Sequence, residues 1–153
     1  MHPDVKDEPI EVDGRVVIVN THGGNLIPKL AVRALNLNQS RGQVLLTFPP
    51  QLAETKVSSV FDQLDDEQHV GDLETSLMLH LEPDEVGEDR VDRVPEMGAV
   101  FFDYATMRSY CPDGAWGRAN RATEDKGRRA LEIMVEETGR HARATFARLD
   151  DGE

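Results

Sequence analysis

The sequence predicts an α/β domain in which a mainly parallel sheet is flanked by helices. Four consecutive β-branched residues, 16–19, within the segment 15–20 indicate a strand buried on both faces, as in a parallel sheet covered by helices. A glycine-containing loop and an apolar helical segment follow at once, which makes a strand–loop–helix unit. A further apolar run at 44–48 predicts a second strand, and a helical pattern at 122–146 predicts a long final helix.

The first half of the domain follows from local signals. The first helix is predicted to run through residues 26–35, with Asn25 as its N-cap and Pro28 tolerated in its first turn. The second strand, 44–48, is stopped by the Pro-Pro pair that follows it.

The second half is more polar and less regular. Residues 53–68 predict an acidic loop with some helix, and 73–81 an apolar helix that ends before a proline. Residues 82–98 are turn-rich, and 100–102 predict a strand or a buried loop segment.

One domain accounts for the whole chain. Its 153 residues can bury a real core. We expect an acidic, loosely ordered lead-in at 1–14, the α/β domain at 15–148 and a tail at 149–153.

Composition narrows the class of protein. No apolar run reaches the ~20 residues that span a bilayer, and the acidic N-terminus resembles no signal peptide. Cys111 is the only cysteine, which rules out an internal disulfide and a cysteine-cluster metal site. We therefore expect a cytoplasmic protein that does not engage membranes.

The charge balance argues against nucleic acid as a partner. The formal net charge is −12, so phosphate backbones would repel the chain. Lysine is scarce, a pattern typical of proteins from salt-rich cytoplasm, and a halophilic source is one hypothesis beside an acidic mesophilic protein.

Two short segments carry the candidate chemistry. Residues 20–25, Asn-Thr-His-Gly-Gly-Asn, follow the first strand, where open α/β sheets place their ligands. His22 can present a ring nitrogen there, beside glycines that allow close approach. Residues 69–76, His-Val-Gly-Asp-Leu-Glu-Thr-Ser, place His69 in a loop and Glu74 in the first turn of a helix. A carboxylate in that position can bind a cation or cap backbone N–H groups.

Each of these residues also has a plain structural explanation. His22 can bond to backbone within a tight turn, His69 can be a surface histidine, and Glu74 can be an ordinary helix-start residue. Taken singly, the structural explanation is the better one for all three.

Other residues receive structural interpretations. Cys111 has no helix N-terminus beside it to activate a thiol. Ser76 is expected to pack or cap, and Trp116 is either a lid over a substrate or an anchor of its loop. The acidic run 62–67 is expected to be solvated, although an acidic residue shortly before His69 could also reach the site.

The combination of motifs is more specific than any one of them. A third segment, residues 114–129, contains Gly-Ala-Trp-Gly and then Ala-Thr-Glu-Asp-Lys-Gly ahead of the final helix. Together with 20–25 and 69–76, in that order, it resembles the C-terminal portion of the creatininase (creatinine amidohydrolase) family.

What the resemblance implies is a divalent-metal amidohydrolase of creatininase-like layered fold, often hexameric. It would cleave a C–N bond of a creatinine-like cyclic amide or a formylaminopyrimidine-like formamide with metal-bound water. The metal would be zinc, with manganese or iron as alternatives. His22 and Glu74 would be metal ligands, and His69 the acid/base that protonates the leaving nitrogen. The pocket floor would be formed by Gly23, Gly24 and Asn25.

One family feature is not found. Members begin with a strand and loop of the type Glu-x-His-Gly-x-His followed by Thr-Asp, which supplies further metal ligands, and no part of this sequence resembles it. We therefore expect missing N-terminal strands, and a chain that alone holds metal poorly and turns over little. The alternative to an enzyme is a non-catalytic remnant, or the partner subunit of a split enzyme that docks another chain at a sheet edge.

Overall fold

The computed structural model describes residues 14–25, 27–38, 42–96 and 104–151. By its internal contacts the chain divides into two units, one comprising Met1–Leu52 and Glu137–Glu153 and the other Ala53–Glu136. The segment predicted at 100–102 lies outside the described residues. Among the helices that are described, none combines the length and the apolar character needed to cross a membrane.

The first unit contains a two-stranded parallel sheet. Strand β1 (Gly14–Val19) pairs with β2 (Gly42–Thr47) in continuous register from Gly14 opposite Gly42 to Val19 opposite Thr47. Helix α1 (Ile27–Asn38) connects them, as a parallel pair requires. The predicted strand–loop–helix unit and the parallel pairing are thus confirmed.

Helix α1 is attached to β2 by one side chain. Asn36 donates from Nδ2 to the carbonyl of Val44 at 2.7 Å, and its Oδ1 accepts the Val44 N–H at 2.8 Å. These two hydrogen bonds satisfy both the N–H and the carbonyl of Val44, and they fix the helix against the strand. A short helix α2 (Pro49–Leu52) ends this part of the unit.

The prediction that β1 is buried on both faces is wrong. All six of its residues are exposed, and the four apolar ones from Val16 to Val19 keep 37–55% of their surface. Among the described residues β1 pairs only with β2. A β-branched run favours a strand, but whether that strand is buried depends on what packs against it.

The second unit begins with α3 (Glu54–Val57) and continues with α4 (Asp72–Leu81) and α5 (Met107–Tyr110). Two short strands, β3 (Asp92–Arg93) and β4 (Gly117–Arg118), pair antiparallel. The final helix, α6 (Glu124–Asp150), runs four residues past its predicted end and through the predicted start of the tail. Its residues up to Glu136 belong to this unit.

A compact apolar cluster joins these elements. Its buried members are Ala53, Val57, Val60, Phe61, Ala130 and Met134. Leu73 and Leu77 of α4 pack against it from one side. Residues that the sequence indicates only as an acidic loop with some helix therefore supply much of the core.

Helices α4 and α6 approach closely at one glycine. A Cβ added to Gly127 would lie 1.8 Å from the carbonyl oxygen of Ser76, so no other residue fits without a shift of backbone. This contact holds α4, which carries Glu74, against the long helix.

Candidate active site

Glu74 and His69 lie together at the start of α4. Glu74 is in the first turn of the helix, and its Oε2 accepts the N–H of Val70 at 2.6 Å. The same oxygen is 3.5 Å from Nδ1 of His69, an ion-pair distance rather than a short hydrogen bond. Both side chains are about half exposed, at 47% for His69 and 53% for Glu74. The structure thus pairs two predicted site residues and leaves both open to a ligand.

The loop that carries His69 is held by backbone pairing. His69 forms an antiparallel bridge with Trp116, in which Trp116 N–H donates to His69 at 2.8 Å and His69 N–H donates to Trp116 at 3.1 Å. The next residue, Val70, has φ of +52°, which is costly for a β-branched side chain. Strain of this kind persists only where surrounding contacts enforce it, here the bond from Val70 N–H to Glu74.

Trp116 anchors the loop instead of covering a substrate. Its side chain is 2% exposed, and its indole N–H donates to the carbonyl of Asp66 at 3.0 Å. Tyr110 packs edge-on against it, with ring centroids 6.2 Å apart. Of the two interpretations of Trp116 given above, the structure therefore supports the anchor.

Glu67 turns inward and clamps two segments together. Its Oε2 accepts the N–H of Asp72 at 2.7 Å, and its Oε1 accepts the N–H of Arg118 at 2.9 Å. Its side chain is only 6% exposed, and this burial raises the pKa of the carboxyl, although the two N–H bonds oppose the shift. The expectation that the whole acidic run 62–67 is solvated is wrong at this residue.

Two glycines make this clamp possible. A Cβ on Gly71 would lie 2.2 Å from Oε2 of Glu67, and one on Gly117 would lie 2.3 Å from the Cα of Gly71. The backbones at Gly71 and Gly117 therefore approach so closely that a side chain larger than hydrogen fits at neither position without a shift.

A buried ion pair fixes the start of α4 to the start of α6. Lys126 Nζ donates to Oδ2 of Asp72 at 2.7 Å, and the Asp72 side chain is 4% exposed. Ser76 Oγ donates to Oδ1 of Asp72 at 3.1 Å and accepts the N–H of Thr123 at 3.1 Å. The Thr-x-x-Lys-Gly segment thus serves to position α4, and Ser76 packs and caps as predicted.

A cavity of about 390 Å³ lies next to Glu74 within the second unit. Its wall includes Val70, Met78, Val91 and Arg90 as well as Glu74. This volume is in the range of small-molecule sites, and an apolar wall with a few charged groups is typical of them. Glu74 therefore stands at the border of a space that can hold a ligand.

His22 lies in the first unit, in the turn after β1. Its Nδ1 accepts the N–H of Gly24 at 3.0 Å, and a Cβ on Gly24 would lie 2.9 Å from the ring. The side chain of Asn25, predicted as the N-cap of α1, donates from Nδ2 to Oδ1 of Asn20 at 2.8 Å. Asn20 in turn donates to the carbonyl of His22 at 3.0 Å. Gly23 and Gly24 are exposed in this turn.

The bond from Gly24 determines which ring nitrogen of His22 has a lone pair. A nitrogen that accepts a hydrogen bond carries no proton, so neutral His22 has its proton on Nε2. A metal ion could therefore bind at Nδ1 in place of the Gly24 N–H, or at Nε2 if the ring proton moves to Nδ1 and the bond from Gly24 is given up.

Two of the predicted site residues have side chains that can act as metal ligands. His22 and Glu74 are both suitable ligands for zinc or manganese. Within the described residues of either unit, however, no group of three or more His, Cys, Asp or Glu side chains is placed to hold an ion. Because zinc sites use three or four protein ligands, these residues alone do not complete a metal site.

The sequence did not indicate the roles of Lys126 and Arg90, and it indicated Glu67 only as an acidic residue shortly before His69 that could reach the site. Lys126 lies within the segment 114–129 and Glu67 just before the segment 69–76. Their partners, Asp72 for Lys126 and the N–H of Arg118 for Glu67, lie some fifty residues away, and no local pattern indicates such contacts. Arg90 sits in a turn-rich segment without periodicity, and no signal marks it. Cys111, by contrast, is buried as a structural cysteine, and that burial raises the pKa of its thiol.

The chain is similar to solved creatininase structures. It superimposes on a mutant creatininase with a TM-score of 0.67 and 26% identity, over 85% of this chain and 55% of that one. For a structure described as Creatininase Mn the TM-score is 0.66 and the identity 28%. For a mutant creatininase complexed with creatine the TM-score is 0.65 and the identity 28%. Both matches cover 85% of this chain and 56% of the other. The chain thus spans a little over half the length of the creatininases it matches. No curated protein matches it.

These findings define a mixed α/β protein with a small parallel sheet, similar to creatininase structures. The sequence profile of the family described as creatininase, creatinine amidohydrolase, matches residues 14–141. The chain belongs to the creatininase family.

Proposed function

We propose that this protein is a metal-dependent amidohydrolase that hydrolyses a C–N bond in a cyclic amide or a formamide. The observation that carries the proposal is the His69–Glu74 pair, 3.5 Å apart, with Glu74 in the wall of a 390 Å³ cavity, in a chain of the creatininase family. Creatinine-like rings and formylaminopyrimidine-like compounds are the substrate classes we would test first.

His69 is the proposed proton donor. An amide nitrogen is a poor leaving group until it gains a proton, and a histidine is suited to supply one near neutral pH. With Nδ1 turned toward Glu74, the other ring nitrogen, Nε2, is left for the substrate. Glu74 orients the ring, and the pairing of His69 with Trp116 fixes the backbone beneath it.

The proposed metal ligands are His22 and Glu74. The similar structures include a mutant creatininase of Zn-Zn type and a creatininase described as Mn, which supports a divalent metal as the cofactor here. When bound, such an ion would supply acidified water for attack on the carbonyl. The remaining ligands would have to come from outside the described residues. We place Gly23, Gly24 and Asn25 at the floor of the substrate site.

One observation favours a second candidate function. Strand β1 presents apolar residues that are 37–55% exposed, on an edge that no described strand covers. Such an edge invites pairing with another chain. In this alternative the protein is a partner subunit, and a second polypeptide supplies the other metal ligands. The alternative predicts no hydrolysis by this chain alone, even with metal in excess.

The experiment is hydrolysis of creatinine and of small formamides by the purified chain in excess zinc or manganese. His69→Ala is compared with His141→Ala, which removes a histidine of α6 that has no place in the proposed chemistry. We expect His69→Ala to lower kcat by about 100-fold or more, as loss of an acid/base does, and His141→Ala to leave it unchanged. A His69→Ala enzyme within about threefold of wild type would contradict the role given to His69.

A further inference from the structure

The cavity beside Glu74 contains one cation in its wall. Among its charged lining residues Arg90 is basic, whereas Glu74, Glu85, Asp89 and Asp113 are acidic. A wall of this composition disfavours a dianion such as phosphate, because the carboxylates repel it. An anion can bind in this cavity only where it contacts the arginine directly.

The backbone of Arg90 is firmly held. Its carbonyl accepts from Nδ2 of Asn120 at 3.0 Å, and its N–H donates to the carbonyl of Glu88 at 3.0 Å. Two residues on, Asp92 accepts the N–H of Asn120 and pairs with Arg118 in the β3–β4 ladder. The base of the Arg90 side chain is therefore fixed relative to the cavity.

Two of the three guanidinium nitrogens of Arg90 lack a hydrogen-bond partner in the described part of the chain. Its Nε and Nη1 are buried and without a hydrogen bond. Asp113, one of the acidic residues in the same wall, is already engaged by Arg93, with three contacts of 2.7–3.0 Å. A buried cationic group without acceptors is costly, and native structures keep one only where water, an ion or a ligand completes it.

We propose that this cavity binds a small molecule through a carboxylate that pairs with Arg90. Arginine suits this role because it is always charged and its N–H groups match carboxylate oxygens. Since Glu74 borders the same cavity, the ligand is a substrate of the proposed amidohydrolase, and in that respect the inference rests on the proposed function. The substrate class becomes an amide or formamide that also carries one carboxylate.

The test uses two probes that differ only in that charge, N-formylglycine and N-formylglycinamide. Binding of each is measured by calorimetry to wild type, Arg90→Gln, Arg90→Lys and a control, Arg128→Gln. Arg128 is an exposed arginine of α6, paired with Asp125 and Glu132. All four proteins carry His69→Ala, so that turnover does not disturb the binding measurement; wild type in this comparison means the protein in which Arg90 and Arg128 are unchanged.

We expect the dissociation constant of N-formylglycine to be lower than that of its amide by a factor of about ten or more, because its carboxylate can accept a charge-assisted hydrogen bond from Arg90. The preference should fall to about one in Arg90→Gln, be partly kept in Arg90→Lys, and be unchanged in Arg128→Gln. Equal binding of the two probes to wild type would overturn the proposal, as would a preference that survives in Arg90→Gln. The wild-type comparison decides the matter even if Arg90→Gln fails to fold.

The outcome is separable from that of the proposed function. A carboxylate preference that depends on Arg90, in a protein that hydrolyses nothing, would support the binding site and count against the amidohydrolase. Hydrolysis of uncharged amides with no effect of Arg90→Gln would do the opposite.

Discussion

The contact between α4 and α6 at Gly127 provides a stringent test of the packing that positions Glu74. The Gly127→Ala change adds a Cβ that would lie 1.8 Å from the Ser76 carbonyl oxygen and 2.4 Å from its carbon. Because these are backbone atoms of α4, no side-chain rotation relieves the clash. The two helices must separate, and because the clash is with backbone atoms we take the upper end of the usual range for overpacking, about 3 kcal/mol. Alanine is otherwise favoured in a helix by roughly 0.5–1 kcal/mol, so we expect a net loss of about 2 kcal/mol.

The same helix offers a matched control. A Cβ on Gly139 would meet only the tip of the Arg143 side chain, at 3.2 Å, and that tip is free to move aside. Gly139→Ala should therefore gain about 0.5 kcal/mol from helix propensity alone. Urea unfolding followed by far-UV circular dichroism measures both variants against wild type. With slopes of about 1–3 kcal/mol per molar urea, the two midpoints should differ by about 1 M or more. Equal stability of the two alanine variants would refute the close approach of α4 and α6.

Two further predictions concern charges around the site. Lys126→Met leaves Asp72 buried without its partner and should cost on the order of 3 kcal/mol in urea unfolding, whereas Arg128→Met on the exposed face should cost under about 1 kcal/mol. Hydrogen bonds from Arg118 hold the pKa of Asp66 below its usual value, so this pair adds stability above pH 3.8 that is lost as pH falls through the lowered pKa. Asp66→Asn should remove this contribution to the loss of stability in acid, which is measured as the free energy of unfolding between about pH 2 and 5. A pH dependence that is the same in Asp66→Asn as in wild type would count against the pair.

Much of the fold was predictable because its signals are local. The apolar run before Pro83 predicted α4 to within one residue at its start, and the β-branched run predicted β1. The burial of β1 was predicted wrongly because burial depends on neighbours distant in sequence. Nothing in residues 14–19 specifies which elements pack against them.

The candidate site divides in the same way. The spacing of His69 and Glu74 across a loop and a first helical turn is local, and the structure brings the two within 3.5 Å. The clamp made by Glu67 is not local, since its two N–H donors lie five and fifty-one residues away. Arg90 is similar, because the features that single it out are a cavity and two buried nitrogens without a hydrogen-bond partner among the described residues, both tertiary properties.

The most direct test of the central claim is equilibrium dialysis of the purified chain against zinc and against manganese. Wild type is compared with His22→Ala, Glu74→Gln and the control His141→Ala. Because His22 and Glu74 supply only two ligands, we expect weak but saturable binding of up to one ion per chain. Either ligand substitution should weaken that binding by about tenfold or more, and the control should leave it unchanged. No saturable binding by wild type, or binding that His22→Ala and Glu74→Gln leave intact, would contradict it.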